Sequence, residues 1–181
     1  GGPEAIVLRE ATRRAGVAPN AAYRHFAGRL DLLQAVRAAS LAALARAMEA
    51  ELESIDPTWP ADAQARASLR AIGVGYLRFA QMETGLFRTA FAVPDEVEND
   101  ADPAKAGDSG RNPFQLLGLA LDRMTAAGVL PAERRPGAEY LAWSAVHGLA
   151  LLIIDGPLRS RPPEQTGAIA LRVVEMVENG L

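Results

Sequence analysis

The chain has 181 residues, 49% hydrophobic and 23% charged, with a net charge of −3. That length gives a prior of about one domain and a core that needs no covalent staples. Cysteine is absent and histidine occurs twice, at His25 and His147, so disulfide scaffolds, thiolate metal sites, cysteine nucleophiles and a histidine metal cluster are excluded. No cofactor is expected.

Charge is unevenly spread. Residues 1–37 hold six arginines against Glu4, Glu10 and Asp31, a net of +3, so the other 144 residues carry −6. A basic head on an acidic body points to a polyanion at one end. No secretory signal opens the chain. The longest uncharged apolar run, residues 140–154, falls short of a membrane span of about 18 residues. A cytoplasmic protein with no membrane partner is expected.

Apolar positions recur at helical spacing, and no stretch alternates with period two between turn signals, so the predicted fold class is all-α. Residues 4–15 form a short first helix behind Pro3, stopped by Gly16 in the left-handed conformation. A second short helix opens at Pro19 and reaches Phe26, before a break at Ala27-Gly28. A long helix follows over 30–55, with Leu33, Leu41, Leu44, Met48, Leu52 and Ile55 on one stripe and Asp56-Pro57 as its stop. Residues 62–82 carry Leu69, Ile72, Tyr76 and Phe79 on one helical face, and 84–92 make a shorter helix. Residues 93–113, with six acids and three prolines, read as a mobile surface loop. Helix resumes over 114–127, with Phe114, Leu117, Leu121 and Met124 on one face and Gly128 as its stop. Residues 137–154 are helical and apolar nearly all round. A final amphipathic helix over 164–179 places Ile169, Val173 and Met176 on its stripe.

The two short helices make a helix-turn-helix candidate. Its second helix would enter the major groove end-on, first residues against the base edges. Asn20 can pair with adenine, and the Ala21 methyl can touch a thymine methyl. Tyr23, Arg24 and His25 reach phosphates or groove edges, and Thr12, Arg13 and Arg29 would hold the DNA backbone. The plain alternative is a helical hairpin with a solvated arginine face.

Residues 8–26, LREATRRAGVAPNAAYRHF, resemble the helix-turn-helix of the TetR family of bacterial repressors. The turn Arg14-Ala15-Gly16-Val17 and the end Tyr23-Arg24-His25-Phe26 carry most of that resemblance, and Leu32-Leu33 on the next helix adds to it. Trp143, His147 and Gly148 resemble the tryptophan-histidine-glycine signature of one subclass of the family's C-terminal domains. The resemblance implies a DNA-binding head over 1–37 and an effector-binding, dimerising helical body over 38–181. The long helix would transmit the change between them, and the last two helices of each subunit would build a four-helix dimer interface. It further implies a helix ahead of Gly1 in the full protein, covering Phe26 and the apolar face of residues 5–17. Ala18 stands where the family often has a Ser or Thr N-cap, a change that costs about 1 kcal/mol.

A regulator needs an effector that prefers one of its two states. Tyr76, Phe79, Met82, Phe87, Phe91, Met124, Trp143 and His147 are the candidate pocket residues, with ordinary core packing as the bland alternative. Trp143 and His147 share a helix face at i and i+4. These residue types suit a small apolar or aromatic effector. A helix apolar all round needs cover on more than one side, which a second subunit supplies, and Gly148 would permit close approach. Two-fold symmetry then sets two recognition helices on a near-palindromic operator. Enzyme readings lack support. Gly73-Val74-Gly75 is followed by Arg78 where a dinucleotide motif needs glycine, no nucleophile elbow is present, and the single lysine is Lys105. The expected function is a ligand-responsive DNA-binding repressor. The alternative is a helical small-molecule-binding or protein-interaction module with no DNA-binding role.

Overall fold

The computed structural model describes residues 2–16, 18, 23–93, 97 and 100–181, and the described residues form seven α-helices, three short 3-10 turns and no strand. The fold class is therefore all-α. After a 3-10 turn at Pro3–Ala5 come α1 (Leu8–Arg14), α2 (Arg29–Leu52), α3 (Ala61–Met82), α4 (Thr84–Ala90), α5 (Pro113–Ala126), α6 (Ala138–Ile154) and α7 (Pro163–Gly180). Gly16, at φ 67°, ends α1, and Gly128, at φ 69°, follows α5. Both take the left-handed conformation that glycine reaches without a Cβ penalty. The first half of the expected second helix, residues 19–22, lies outside the described residues, and Tyr23, Arg24 and His25 form a turn.

Helix α3 is the centre of the body and packs against α2, α4, α5, α6 and α7. Its apolar face is the expected one, with Leu69, Ile72, Tyr76 and Phe79 all buried. Two glycines let its neighbours come close. A Cβ on Gly75 would lie 2.7 Å from Met48 Cα of α2, and one on Gly73 would lie 2.9 Å from a methyl of Val174 in α7. The Gly73-Val74-Gly75 run is thus a helix-crossing device. Helix α2 joins two clusters: Leu32 packs with Ile6, Phe26 and Val36 in the head, while Leu44, Ala45 and Met48 lie in the body core. Phe26 therefore receives part of its cover from within this chain.

Three expectations need correction. Helix α2 ends at Leu52, short of Ile55. Asp56 organises the turn beyond it, accepting from the Thr58 amide and hydroxyl at 2.8 and 2.6 Å. The buried stripe of α7 is Thr166, Val174, Val177 and Glu178, while Ile169 and Val173 are half-buried and Met176 is exposed. Spacings of three and four fit two stripes one residue apart. The arginines of α3 select the second by receiving Glu178, with Arg70 at 2.6 Å and Arg66 at 3.7 Å.

The segment before α5 is also more than a surface loop. Lys105 and Asp100 pair at 2.5 Å with side chains only 14% and 12% exposed. Glu49 of α2 accepts from the amides of Asp108 and Ser109, at 2.8 and 3.0 Å, and from the Ser109 hydroxyl at 2.6 Å. Gly107 makes that contact possible, since a Cβ there would sit 2.4 Å from the Glu49 carboxylate. Asn112 and Gln115 close a capping box on α5, and the buried Asn112 amide also donates to the Asp100 carbonyl. Composition alone reads this segment as solvated, because the carboxylate that gathers its amides, Glu49, lies on another helix about 60 residues away in sequence.

Candidate functional site

A cavity of about 620 Å3 opens inside the body, walled by α2, α3, α5, α6, α7 and the segments flanking residues 94–99. Helix α2 supplies Arg37, Leu41 and Met48, and α3 supplies Leu69, Ile72 and Tyr76. Helix α5 supplies Phe114 and Leu117, while α6 supplies Tyr140, Trp143, Val146 and His147. Phe91 lines it just beyond α4. Its volume falls in the range of roughly 300–1,000 Å3 usual for drug-sized ligands.

Aromatic rings run along the wall. Tyr140 meets Phe114 at 5.7 Å between centroids, Phe114 meets Trp143 at 6.3 Å, and Trp143 meets Phe91 at 6.0 Å. Phe91 stands edge-on to His147 at 4.9 Å. One polar relay crosses this surface. The Trp143 indole Nε1 donates to the Tyr76 hydroxyl at 3.1 Å, and that hydroxyl lies 2.7 Å from His147 Nδ1. Burial pushes the Tyr76 phenol far above its usual range, against the weaker opposing bond from Trp143. Burial pulls His147 below the ordinary histidine value, so the imidazole is neutral at pH 7.

Of the residues predicted to line a pocket, Tyr76, Phe91, Trp143 and His147 are on this wall. Phe87 is buried behind it, with its ring 5.4 Å from Tyr76 and 5.7 Å from His147. Phe79 and Met124 are buried in the core off the cavity. Met82 is exposed at the end of α3, beside a shallow depression between head and body. Helical periodicity marks a buried face and does not separate wall from core. Phe114 and Tyr140 belong to the wall although sequence reasoning left them out. Their signal was the apolar face of α5 and the aromatic spacing Tyr140–Trp143–His147. Asp100, Lys105 and Asn112 also line it, and their place depends on the ordering of the segment before α5.

In the head, Tyr23, Arg24 and His25 lie exposed in a turn ahead of α2. Asn20 and Ala21 lie outside the described residues. Arg13 is exposed and makes a two-pronged contact with Glu10 at 2.7 and 2.6 Å. Thr12 is buried, and its hydroxyl donates to the Arg9 carbonyl at 2.8 Å within α1. Arg29 is exposed but turned to its own chain, donating to the carbonyls of Ile6 and Pro3 at 3.1 Å each.

Comparison with known proteins agrees with this architecture. The sequence model of the tetracycline-repressor-like C-terminal domain matches residues 69–177, which include α6 and most of α3 and α7. No curated protein matches the chain. A solved structure of a protein of unknown function from Rhodococcus sp. RHA1 is similar at a TM-score of 0.72 and 23% identity, over 97% of this chain and 84% of that one. At that identity the likeness concerns the fold.

Proposed function

The chain belongs to the tetracycline-repressor-like family of regulators, and from that premise we propose that it binds an operator as a homodimer and is released by a small apolar or aromatic effector. The observation that carries the reading is the double role of α2. One helix contributes Leu32 to the head cluster and Arg37, Leu41 and Met48 to the cavity wall. At about 1.5 Å per residue it is a rigid rod of roughly 36 Å, so a ligand that shifts the wall end displaces the head end. Arg37 strengthens the link by donating from Nε to the Ala90 carbonyl at 2.9 Å, one residue before Phe91 of the wall.

The DNA-facing side chains in this reading are Asn20, Ala21, Tyr23, Arg24 and His25, with Arg13 available to phosphates once it exchanges Glu10 for the DNA. Dimerisation would use α6 and α7, where Leu141, Leu151, Leu152, Leu171 and Met176 are exposed apolar residues on adjacent helices. The test is a mobility shift of the full-length protein on DNA flanking its own coding region, at two salt concentrations. A specific complex that weakens as salt rises is expected, and Tyr23→Ala is expected to abolish it while leaving the dimer intact. Wild-type affinity in that variant would remove the assigned DNA face. The absence of any specific complex, with DNA flanking neighbouring genes included, would remove the regulator reading.

A further inference from the structure

Resting on the reading of the cavity as the effector site, we infer that its ligand is an uncharged aromatic molecule bearing a hydrogen-bond acceptor. Nε2–H of His147 receives that acceptor, and Tyr76 and Trp143 are the residues that position it. An indole nitrogen can only donate. The Tyr76 oxygen is therefore the acceptor of the Trp143 bond, and among the described residues the only acceptor within reach of its own proton is His147 Nδ1, 2.7 Å away. Nδ1 must then be unprotonated. A neutral imidazole that accepts at Nδ1 carries its proton on Nε2. Burial keeps both partners in the forms this requires, holding the phenol protonated and the imidazole uncharged.

The ring is also fixed in place. Phe91 at 4.9 Å, Phe87 at 5.7 Å and Trp143 at 6.0 Å enclose it, and no described residue meets Nε2. A half-buried N–H that opens onto an aromatic-lined cavity is a donor that a ligand's acceptor can meet in place of water. The charged side chains of the wall are already engaged. Lys105 pairs with Asp100, and Arg37 donates to the Ala90 carbonyl. An anionic ligand at Lys105 would meet the Asp100 charge beside it, and a cationic one would find that carboxylate held by Lys105. A flat, neutral ketone, ester or quinone asks for neither.

The probes are fluorene, 9-fluorenone and fluorene-9-carboxylate, which share a ring system and differ in acceptor and charge. Affinities for the full chain are read by equilibrium dialysis. Fluorenone is expected to bind about tenfold tighter than fluorene, in line with one hydrogen bond to a half-buried donor. His147→Phe should bring the two to parity. In ¹⁵N-histidine-labelled wild-type protein, fluorenone should move the Nε2 resonance of His147 while fluorene leaves it in place, a readout that needs no variant to fold. Tyr76→Phe removes the acceptor of the Trp143 bond and the proton donor to Nδ1. It should mix the two histidine tautomers and cut the preference for fluorenone over fluorene.

Equal affinity for fluorene and fluorenone, a preference that survives in His147→Phe, or a protonated Nδ1 in the wild type would overturn the inference and leave the cavity as an effector site. Tightest binding of the carboxylate would do the same, moving recognition to Arg37 or Lys105. Failure of all three probes to bind would overturn the effector cavity itself.

Discussion

At the scale of single residues, His147 ties the cavity to stability. Its folded value lies below the ordinary histidine value because burial disfavours the charged ring. As pH falls through about 6.5 the unfolded chain takes up a proton that the folded one refuses, so stability is full above that value and declines below it. The urea midpoint should therefore drop more between about pH 7.5 and pH 5.5 in wild type than in His147→Phe, where no proton is taken up. Equal drops would mean that the imidazole is not desolvated. Glu178 makes a second case. It is buried, with Arg70 and Arg66 as its charged partners. Arg70→Met leaves a buried carboxylate with a partner only at 3.7 Å and should cost about 2 kcal/mol in urea unfolding. The double variant Arg70→Met, Glu178→Leu should recover much of that loss. Neither arrangement was legible in the sequence. The pair Trp143 and His147 follows from a spacing of four, but Tyr76 reaches them across 67 and 71 residues, and only the fold supplies that contact.

At the scale of elements, the sequence was most informative where one stripe dominates. The buried faces of α3 and α5 and the glycine stops after α1 and α5 follow from spacing and backbone chemistry. It was least informative where two solutions share a pattern. On α7 the stripes 169/173/176 and 166/174/177 are both helical, and the choice is made by Arg66 and Arg70 on another helix. The segment before α5 fails for a similar reason, since Glu49 gathers the Asp108 and Ser109 amides from 59 and 60 residues away. Burial alone would raise the pKa of Glu49, but the hydrogen bonds from Ser109 and Asp108, with Arg46 nearby, hold it below the usual carboxylate value. Glu49→Ala should speed hydrogen exchange at the Asp108 and Ser109 amides and cost about 2 kcal/mol. Unchanged exchange there would show that the segment is held by Lys105 and Asn112 without the clamp. The glycines of α3 give a graded comparison. Gly→Ala inside a helix gains roughly 1 kcal/mol from propensity, but at Gly75 the new methyl meets α2 backbone at 2.7 Å, which cannot step aside. Gly75→Ala should destabilise by about 2 kcal/mol net. Gly73→Ala faces a Val174 methyl at 2.9 Å and should cost less.

At the scale of the whole molecule, α6 and α7 together carry a group of exposed apolar side chains. Leu141 is 62% exposed and Leu171 is 59% exposed, and Leu151, Leu152 and Met176 extend the same two helices. A Cβ on Gly148 would meet nothing within 4 Å, so the middle of α6 is bare enough for another helix to come close. Apolar side chains gathered on two neighbouring helices mark an association surface. In the proposed dimer a second copy would cover it under two-fold symmetry, because each helix would then meet its own equivalent. Leu151→Glu tests this. The side chain is exposed in the single chain, so the variant should unfold within about 0.5 kcal/mol of wild type when compared as monomers. In the dimer it would bury a carboxylate on each side of the axis, two like charges facing each other in a drying interface. Sedimentation velocity should show a dimer for wild type and a monomer for Leu151→Glu at the same concentration, and the operator complex should be lost with it, since one recognition helix holds too few phosphates to persist at physiological salt. A variant that still sediments as a dimer would place the interface on another face. A monomer that still binds the operator at wild-type affinity would separate DNA recognition from dimerisation, and the two-fold geometry would then no longer explain how the head reads its site.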